Sequence, residues 1–157
     1  NDVDLQVTIV EVRSDGQEQY IQRGWLRASH RALDLKRSTE LLPYHPHTTE
    51  SLKDMTAGVP ELLRVEMMPF SHVFRAGSSI RIYVENPSVT GLWGFQSVLT
   101  PQVVSILHNA THPSRLMLGL LPDAKIKPDL PTCGSVDSEP CRANPIPQPD
   151  GILMLAN

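Results

Sequence analysis

The chain has 157 residues, of which 40% are hydrophobic and 20% are charged, a composition typical of one globular domain and not of a disordered chain. The formal net charge of −3 and the lack of a long basic run exclude the basic face of a nucleic-acid-binding protein. No run of about 18 apolar residues is present, so the sequence predicts no membrane-spanning helix.

The chain begins directly in strand-like sequence, with neither an initiator Met nor a signal peptide. We therefore expect it to be a cleaved or excised piece of a longer protein. In residues 3–12 the apolar Val3, Leu5, Val7 and Ile9 alternate with polar neighbours, which predicts a strand. The pair Asp15-Gly16 marks a turn, and a second strand is predicted at 24–31.

Residues 31–60 show little periodicity and predict a surface loop. Beyond them come short apolar runs that are separated by Pro, Gly and Asn and lack helical patterns, as in an antiparallel sandwich. In one run Ile80, Ile82 and Val84 share a face, and Arg81, Tyr83 and Glu85 lie opposite. The predicted strands of this region are 61–68, 79–86, 102–109 and 114–121.

Residues 123–157 hold six of the 14 prolines, which excludes a regular helix or central strand there. The sequence thus predicts a β-sandwich domain at 1–122 and a Pro-rich arm at 123–157 that packs on a surface.

A serine hydrolase of the α/β type needs the motif G-x-S-x-G for its nucleophile elbow, and this chain has none. The segment Gly77-Ser78-Ser79 has a single glycine and opens a strand, so a hairpin glycine is the better interpretation. Cys133 and Cys141 also lack the strand-to-helix context of a catalytic nucleophile. No catalytic residue is predicted.

Two histidine pairs suggest metal binding only weakly. His45 and His47 form H-P-H in a loop, but a third ligand with clear spacing is missing. His108 and His112 are four apart, but their flanks resemble strands, and Pro113 restricts His112 to extended geometry. Packed or hydrogen-bonded histidines are the alternative, and neither a metal nor a cofactor is predicted.

Two further groups admit a ligand. Asp2 and Asp4 could point the same way towards a calcium ion, although no oxygen-rich loop is evident. Trp25, Trp93 and Phe95 could form a sugar-stacking platform, or could pack in a core or between domains.

Cys133 and Cys141 are close in sequence, within a segment of Gly, Ser and Pro. They predict either a local disulfide or two free thiols. A disulfide would imply an oxidising compartment, and therefore a secreted or extracellular protein.

Asn109 begins an N-x-T sequon and is a candidate glycosylation site in a secreted chain.

Several segments in order resemble a known family. "DLQVTIVEVRSDG", "GWLRASHRALD", "FSHVFRAGSSIRIYVE" and "VVSILHNATHPSRLMLGLLP" are similar to the C-terminal jelly-roll, galactose-binding-like domain of the cocaine esterase and X-Pro dipeptidyl-peptidase (CocE/NonD) group of α/β-hydrolases. The resemblance covers roughly residues 4–122. It implies that the last segment is a closing strand pair, with Leu116, Leu118 and Leu120 facing the core.

The chain departs from this family in two ways. Gly77-Ser78-Ser79 stands where relatives often have G-H-R, and the resemblance implies the hairpin there without the family's His and Arg side chains. The family's sandwich also begins before the first strand seen here. We therefore expect an antiparallel jelly-roll β-sandwich that lacks its first strands. Either the fold tolerates an open edge, or the missing strands come from another polypeptide.

The resemblance implies a non-catalytic accessory domain of a secreted serine hydrolase of the ester, amide or X-Pro dipeptidyl-peptidase type. Its expected partner is the α/β-hydrolase catalytic domain, whose substrate cleft it would help to shape. The alternative is a stand-alone carbohydrate- or ligand-binding jelly-roll module, because fold analogy alone does not separate the two.

Overall fold

The structure is a computed structural model that describes residues 2–87, 103–127, 129–134 and 140–145. Its strands are β1 (Asp4–Val12), β2 (Gln17–Arg27), β3 (Ser79–Glu85) and β4 (Arg142–Ala143). Short 3-10 turns lie at Ala28–His30 and Thr49–Ser51. The predicted all-β class is therefore confirmed. None of the helical turns in the described ranges has the length and apolar character needed to cross a membrane.

The four strands form one antiparallel sheet in the order β3-β1-β2-β4. In the pairing of β2 with β4, Gln17 lies opposite Ala143 and Glu18 opposite Arg142. β1 has a neighbour on each side and is buried along almost its whole length, which explains why its sequence is so rich in β-branched residues.

The turn between β1 and β2 is a three-residue hairpin loop. The backbone N–H of Arg13 donates to the carbonyl of Gln17 at 2.8 Å, and that of Gly16 donates to Arg13 at 3.0 Å. The Asp15 carboxylate accepts from the Gln17 N–H at 3.1 Å. Gly16 has a φ of 80°, the left-handed conformation that such loops require at their last position. The predicted D-G turn is confirmed.

The chain divides into two compact units. The first comprises Asn1–Gln6, Trp25–Glu66 and Glu85–Asp123, and the second comprises Val7–Gly24, Met67–Val84 and Ala124–Asn157. The first unit buries Leu5, Leu26 and Ala28, and the second buries the apolar residues Ile9, Val10, Val12 and Ile21. The division into a domain at 1–122 and an arm at 123–157 stays a prediction.

Three predicted strands are not strands in the described residues. Segments 61–68, 103–109 and 114–121 carry no strand assignment, although their apolar runs are long enough for one. A strand needs a neighbouring backbone for its hydrogen bonds as well as a suitable side-chain pattern. Thr111 and its neighbours do form the turn expected between the last two segments, but no part of the chain that the structure describes pairs with these segments as a ladder partner.

Candidate functional site

Glu11 of β1 is a carboxylate buried in the second unit. It is 1% exposed, and its Oε2 lies 2.8 Å from Nε2 of His72. Its other oxygen and the nearby buried hydroxyl of Ser78 have no well-formed hydrogen-bond partner in the described residues. Burial raises the pKa of Glu11, but His72, Ser78 and the Arg75 backbone together outweigh it and leave the pKa below its ordinary value.

Glu11, His72 and Ser78 are the residue types of a hydrolase triad, but their order is different. In a triad the imidazole lies between the serine and the acid, so that it can take the serine proton. Here the carboxylate of Glu11 lies between His72 and Ser78, and Ser78 is buried. The arrangement can anchor the segment before β3 onto β1, and it supplies no activated nucleophile.

A second buried carboxylate, Glu18 of β2, accepts hydrogen bonds from side chains of two other strands, β3 and β4. It accepts hydrogen bonds from the Tyr83 hydroxyl at 2.6 Å, from Arg142 Nε at 2.8 Å and from Arg81 Nη1. Arg81 also donates to the side-chain oxygen of Asn144 at 2.7 Å. Burial opposes ionisation of Glu18, but these donors outweigh it and hold the pKa of Glu18 below its ordinary value.

The histidines of the H-P-H loop are hydrogen-bonded and packed. The ring nitrogens of the buried His45 lie 3.1 Å and 2.8 Å from the carbonyls of Ala32 and Arg64, so neither is free to bind a metal. Nδ1 of His47 lies 3.3 Å from Nδ1 of His30. Burial and the neighbouring imidazoles lower the pKa of His47. Two imidazoles are too few for a structural zinc site, and the described residues contain no group of three ligands able to hold a metal.

Asp2 and Asp4 are engaged by protein groups instead of a cation. Asp4 forms a bidentate pair with Arg27, with both distances 2.7 Å. Asp2 Oδ1 accepts from the backbone N–H groups of Val3 and Ser29 at 2.9 Å and 2.8 Å. These contacts fix the start of β1 against the end of β2.

The proposed aromatic platform is described only in part. Trp25 donates from Nε1 to Gln6 Oε1 at 2.8 Å, a contact between neighbouring strands that gives this side chain a structural role. Trp93 and Phe95 lie outside the described residues.

The sequon at Asn109 lies in an exposed turn. Its Oδ1 accepts hydrogen bonds from the Thr111 N–H, the Thr111 hydroxyl and the His112 N–H at 3.0, 3.0 and 2.9 Å. The Ser114 hydroxyl donates to the Leu107 carbonyl at 2.8 Å across the turn, so Ser114 has a turn-forming role. Glycosylation of Asn109 stays a prediction.

Cys133 and Cys141 form a disulfide, with their Cα atoms 5.6 Å apart. Arg13 Nη2 donates to the Pro131 carbonyl at 3.0 Å on one side of this bridge, and Arg142 binds Glu18 on the other. The bridge therefore closes a short loop whose two ends both contact the β1–β2 hairpin.

Residues 103–121, here called the apolar arm, expose several large hydrophobic side chains close together in sequence. On an ordinary solvent-facing surface such side chains are scattered singly. Leu116 and Leu118 are half-buried, but Leu120 is 79% exposed and Leu121 is 80% exposed. The expectation that Leu120 faces the core is wrong, because no strand or loop of the described residues covers it. The exposed members of the arm are Val103, Val104, Ile106, Leu107, Met117, Leu120 and Leu121.

With the geometry established, comparison with known proteins identifies the family. The family model of the X-Pro dipeptidyl-peptidase C-terminal non-catalytic domain matches residues 1–117. The chain belongs to this family. A non-catalytic family fits a site in which Ser78 and Glu11 are buried and the Ser, Glu and His side chains are in the wrong order for a triad.

One solved structure is similar over part of the chain. It is the crystal structure of a CocE/NonD family hydrolase from Staphylococcus aureus, with 29% sequence identity and a TM-score of 0.47. The match covers 54% of this chain and 17% of that hydrolase. No curated protein matches.

Sequence reasoning missed the two buried glutamates of this non-catalytic domain. Glu11 stands in the strand predicted at 3–12, and an acidic residue in a strand is most often solvated. Glu18 precedes the second strand predicted at 24–31, because β2 begins earlier, at Gln17, and ends at Arg27. Their partners His72, Arg81 and Arg142 lie 61, 63 and 124 residues away. The one available signal was His72, which lies in the H-V-F segment that resembles the family.

Proposed function

We propose that this chain is the accessory β-domain of a serine hydrolase and that it packs on the α/β-hydrolase catalytic domain of the same protein through the apolar arm. Membership of a family of C-terminal non-catalytic domains supports the role. The observation that carries the assignment of the surface is the exposure of seven large hydrophobic side chains within 19 residues of the first unit.

The free energy gained by burying the apolar arm supports the proposal that another domain covers it. Burying an exposed Leu, Ile, Val or Met contributes about 1.5–3 kcal/mol, so covering the arm contributes on the order of 10 kcal/mol. Exposed patches of this kind mark protein–protein interfaces. The arm holds one charged side chain, Arg115, and a centre depleted in charge is typical of an interface core.

In this role the domain works by packing. A wall beside a substrate cleft excludes water and positions the substrate without touching a bond that breaks. We infer that the apolar arm holds the domain in place and that the catalytic Ser, His and acid belong to the catalytic domain. The substrate would then be an ester, an amide or an X-Pro peptide.

The test compares the intact parent protein with a variant carrying Leu120→Asp and Leu121→Asp. We expect the midpoint of thermal unfolding to fall by several degrees, roughly what a loss of a few kcal/mol produces, and hydrolysis of a chromogenic acyl ester to fall with it. The matched control is Leu35→Asp, because Leu35 is 82% exposed in the same unit but lies outside the arm.

Equal losses in Leu35→Asp and in the double variant would reject the apolar arm as the docking surface. Hydrogen exchange gives an independent measure. We expect residues 103–107 and 117–121 to exchange more slowly in the parent protein than in the isolated chain, and equal exchange in both would contradict the proposal.

A further inference from the structure

The segment around the disulfide lies along the outer edge of β2. We call residues 131–134 and 140–145 the strap. Its strand β4 is only two residues long, Arg142–Ala143, and it pairs antiparallel with the first residues of β2. Among the residues that the structure describes, β2 is otherwise flanked only by β1, so the strap supplies the backbone partner for the edge of the sheet.

The register shows which backbone groups depend on the strap. The Asn144 N–H donates to the Gly16 carbonyl at 3.1 Å. In an antiparallel ladder, hydrogen-bonded pairs alternate with non-bonded pairs. Because Gln17 lies opposite Ala143 and Glu18 opposite Arg142, the next bonded pair joins Glu18 and Arg142. The Glu18 amide is therefore a reporter of strap docking.

Side chains fix the strap at both ends of the disulfide loop. Before Cys133, the Pro131 carbonyl accepts from Arg13 at 3.0 Å. After Cys141, Arg142 donates to Glu18 at 2.8 Å, and Asn144 accepts from Arg81 at 2.7 Å. The partners on the hairpin and on β3 are in ordered strands or turns, whereas the strap has little secondary structure of its own.

A two-residue strand is too short to dock by itself, because the ordering of each residue costs backbone entropy that two ladder positions do not offset. The Cys133–Cys141 bridge removes much of that cost by holding Arg142 close to a second attachment point at Pro131. The bridge thus converts two weak attachments into one bivalent attachment.

We propose that the strap is a redox-controlled cover of the β2 edge, docked when Cys133 and Cys141 are bridged and released when a dithiol reduces them. One thiolate of the dithiol attacks a sulfur of the bridge, forms a mixed disulfide and expels a cysteine thiolate. The second thiol of the dithiol then displaces the other cysteine. Two electrons and two protons pass to the cysteines, and the dithiol leaves as a cyclic disulfide. Release frees the edge of β2 for pairing with another strand.

The experiment measures hydrogen exchange on the full chain before and after reduction with dithiothreitol. We expect exchange at the Glu18 amide and over residues 142–144 to rise by roughly tenfold or more, as for local opening, while the β1 residues Val7–Val10 keep their protection. Trypsin gives a second readout, because the Arg142–Ala143 bond becomes cleavable only when β4 leaves β2.

The variant Cys133→Ser with Cys141→Ser reproduces the reduced state without reductant, and we expect the same local rise in exchange. Lys36→Ala, which removes an exposed lysine of the first unit outside the apolar arm, is the control and leaves the exchange of Glu18 unchanged. Equal protection of Glu18 in the bridged and reduced chains would overturn the proposal. Loss of protection in β1 as well would also overturn it, because the bridge would then hold the whole fold.

Discussion

Glu11 and Glu18 are acidic residues placed where the chain otherwise buries apolar side chains. A carboxylate out of water is unfavourable unless donors replace the lost hydration. His72 provides that for Glu11, and Tyr83 and two arginines provide it for Glu18. Both carboxyls have a pKa below the ordinary value, so these donors stabilise the ionised form more than burial destabilises it.

The first prediction at the residue scale concerns Glu11→Gln. The change removes the charge that His72 meets and leaves buried polar groups less well paired, so we expect a loss of about 1–3 kcal/mol in the free energy of unfolding at pH 7. Urea denaturation followed by circular dichroism measures it. Glu40→Gln, at an exposed position, is the control and changes stability little.

The same variant shows a defined dependence on pH. Because the pKa of Glu11 is lower in the folded chain, its contribution to stability is fully present above its unfolded value, near 4.5, and is lost as the pH falls through the folded value. The stability difference between wild type and Glu11→Gln therefore shrinks below about pH 4.5. A difference that stayed constant down to pH 3 would contradict the role given to the ionised carboxylate.

At the scale of elements, the β1–β2 hairpin and the turn before β3 both depend on glycine. Gly16 and Gly77 have φ values of 80° and 84°, a region that costs other residues about 1–2 kcal/mol. A Cβ at Gly16 would meet nothing within 4 Å, whereas one at Gly77 would lie 3.3 Å from Cβ of Ser14. The two positions therefore separate backbone strain from crowding.

We predict that Gly77→Ala destabilises the chain more than Gly16→Ala does. Gly16→Ala carries only the backbone cost of about 1–2 kcal/mol, and Gly77→Ala adds the displacement of Ser14. Chemical denaturation of both variants measures the order. The double variant Gly77→Ala with Ser14→Gly removes Cβ of Ser14, the atom that the new methyl group would crowd. We expect its loss in the free energy of unfolding to equal that of Gly16→Ala. A smaller loss for Gly77→Ala would refute the crowding argument.

Some apolar runs that were predicted as strands do not form strands in the structure. The run 79–85 forms β3 because β1 lies beside it. The runs at 61–68 and 114–121 have similar composition but no ladder partner in the described residues. Side-chain alternation measures suitability for a strand, whereas hydrogen-bonded neighbours decide whether one forms.

At the scale of the whole molecule, membership of a non-catalytic family leads us to expect no esterase activity from the isolated chain. We predict that it hydrolyses a chromogenic acyl ester no faster than the same chain unfolded in urea, since exposed histidines give both a slow background rate. The measurement is the release of the chromophore. Turnover by the folded chain that disappears in Ser78→Ala would overturn the non-catalytic assignment, because Ser78 lies beside Glu11, the hydrogen-bond partner of His72.

Local sequence by itself determined the all-β class, the strand at residues 4–12, the D-G turn and the strand at 79–85, because each depends on alternation or on a residue suited to a positive φ. The order of segments also indicated the family to which the chain belongs. Only the tertiary structure decided that Glu11 meets His72, that Glu18 gathers Tyr83 and two arginines, and that Leu120 is exposed. The two carboxylate clusters depend on contacts between residues more than 60 positions apart, and a linear pattern carries no measure of which distant backbone or side chain will lie alongside it, or of whether one will cover Leu120.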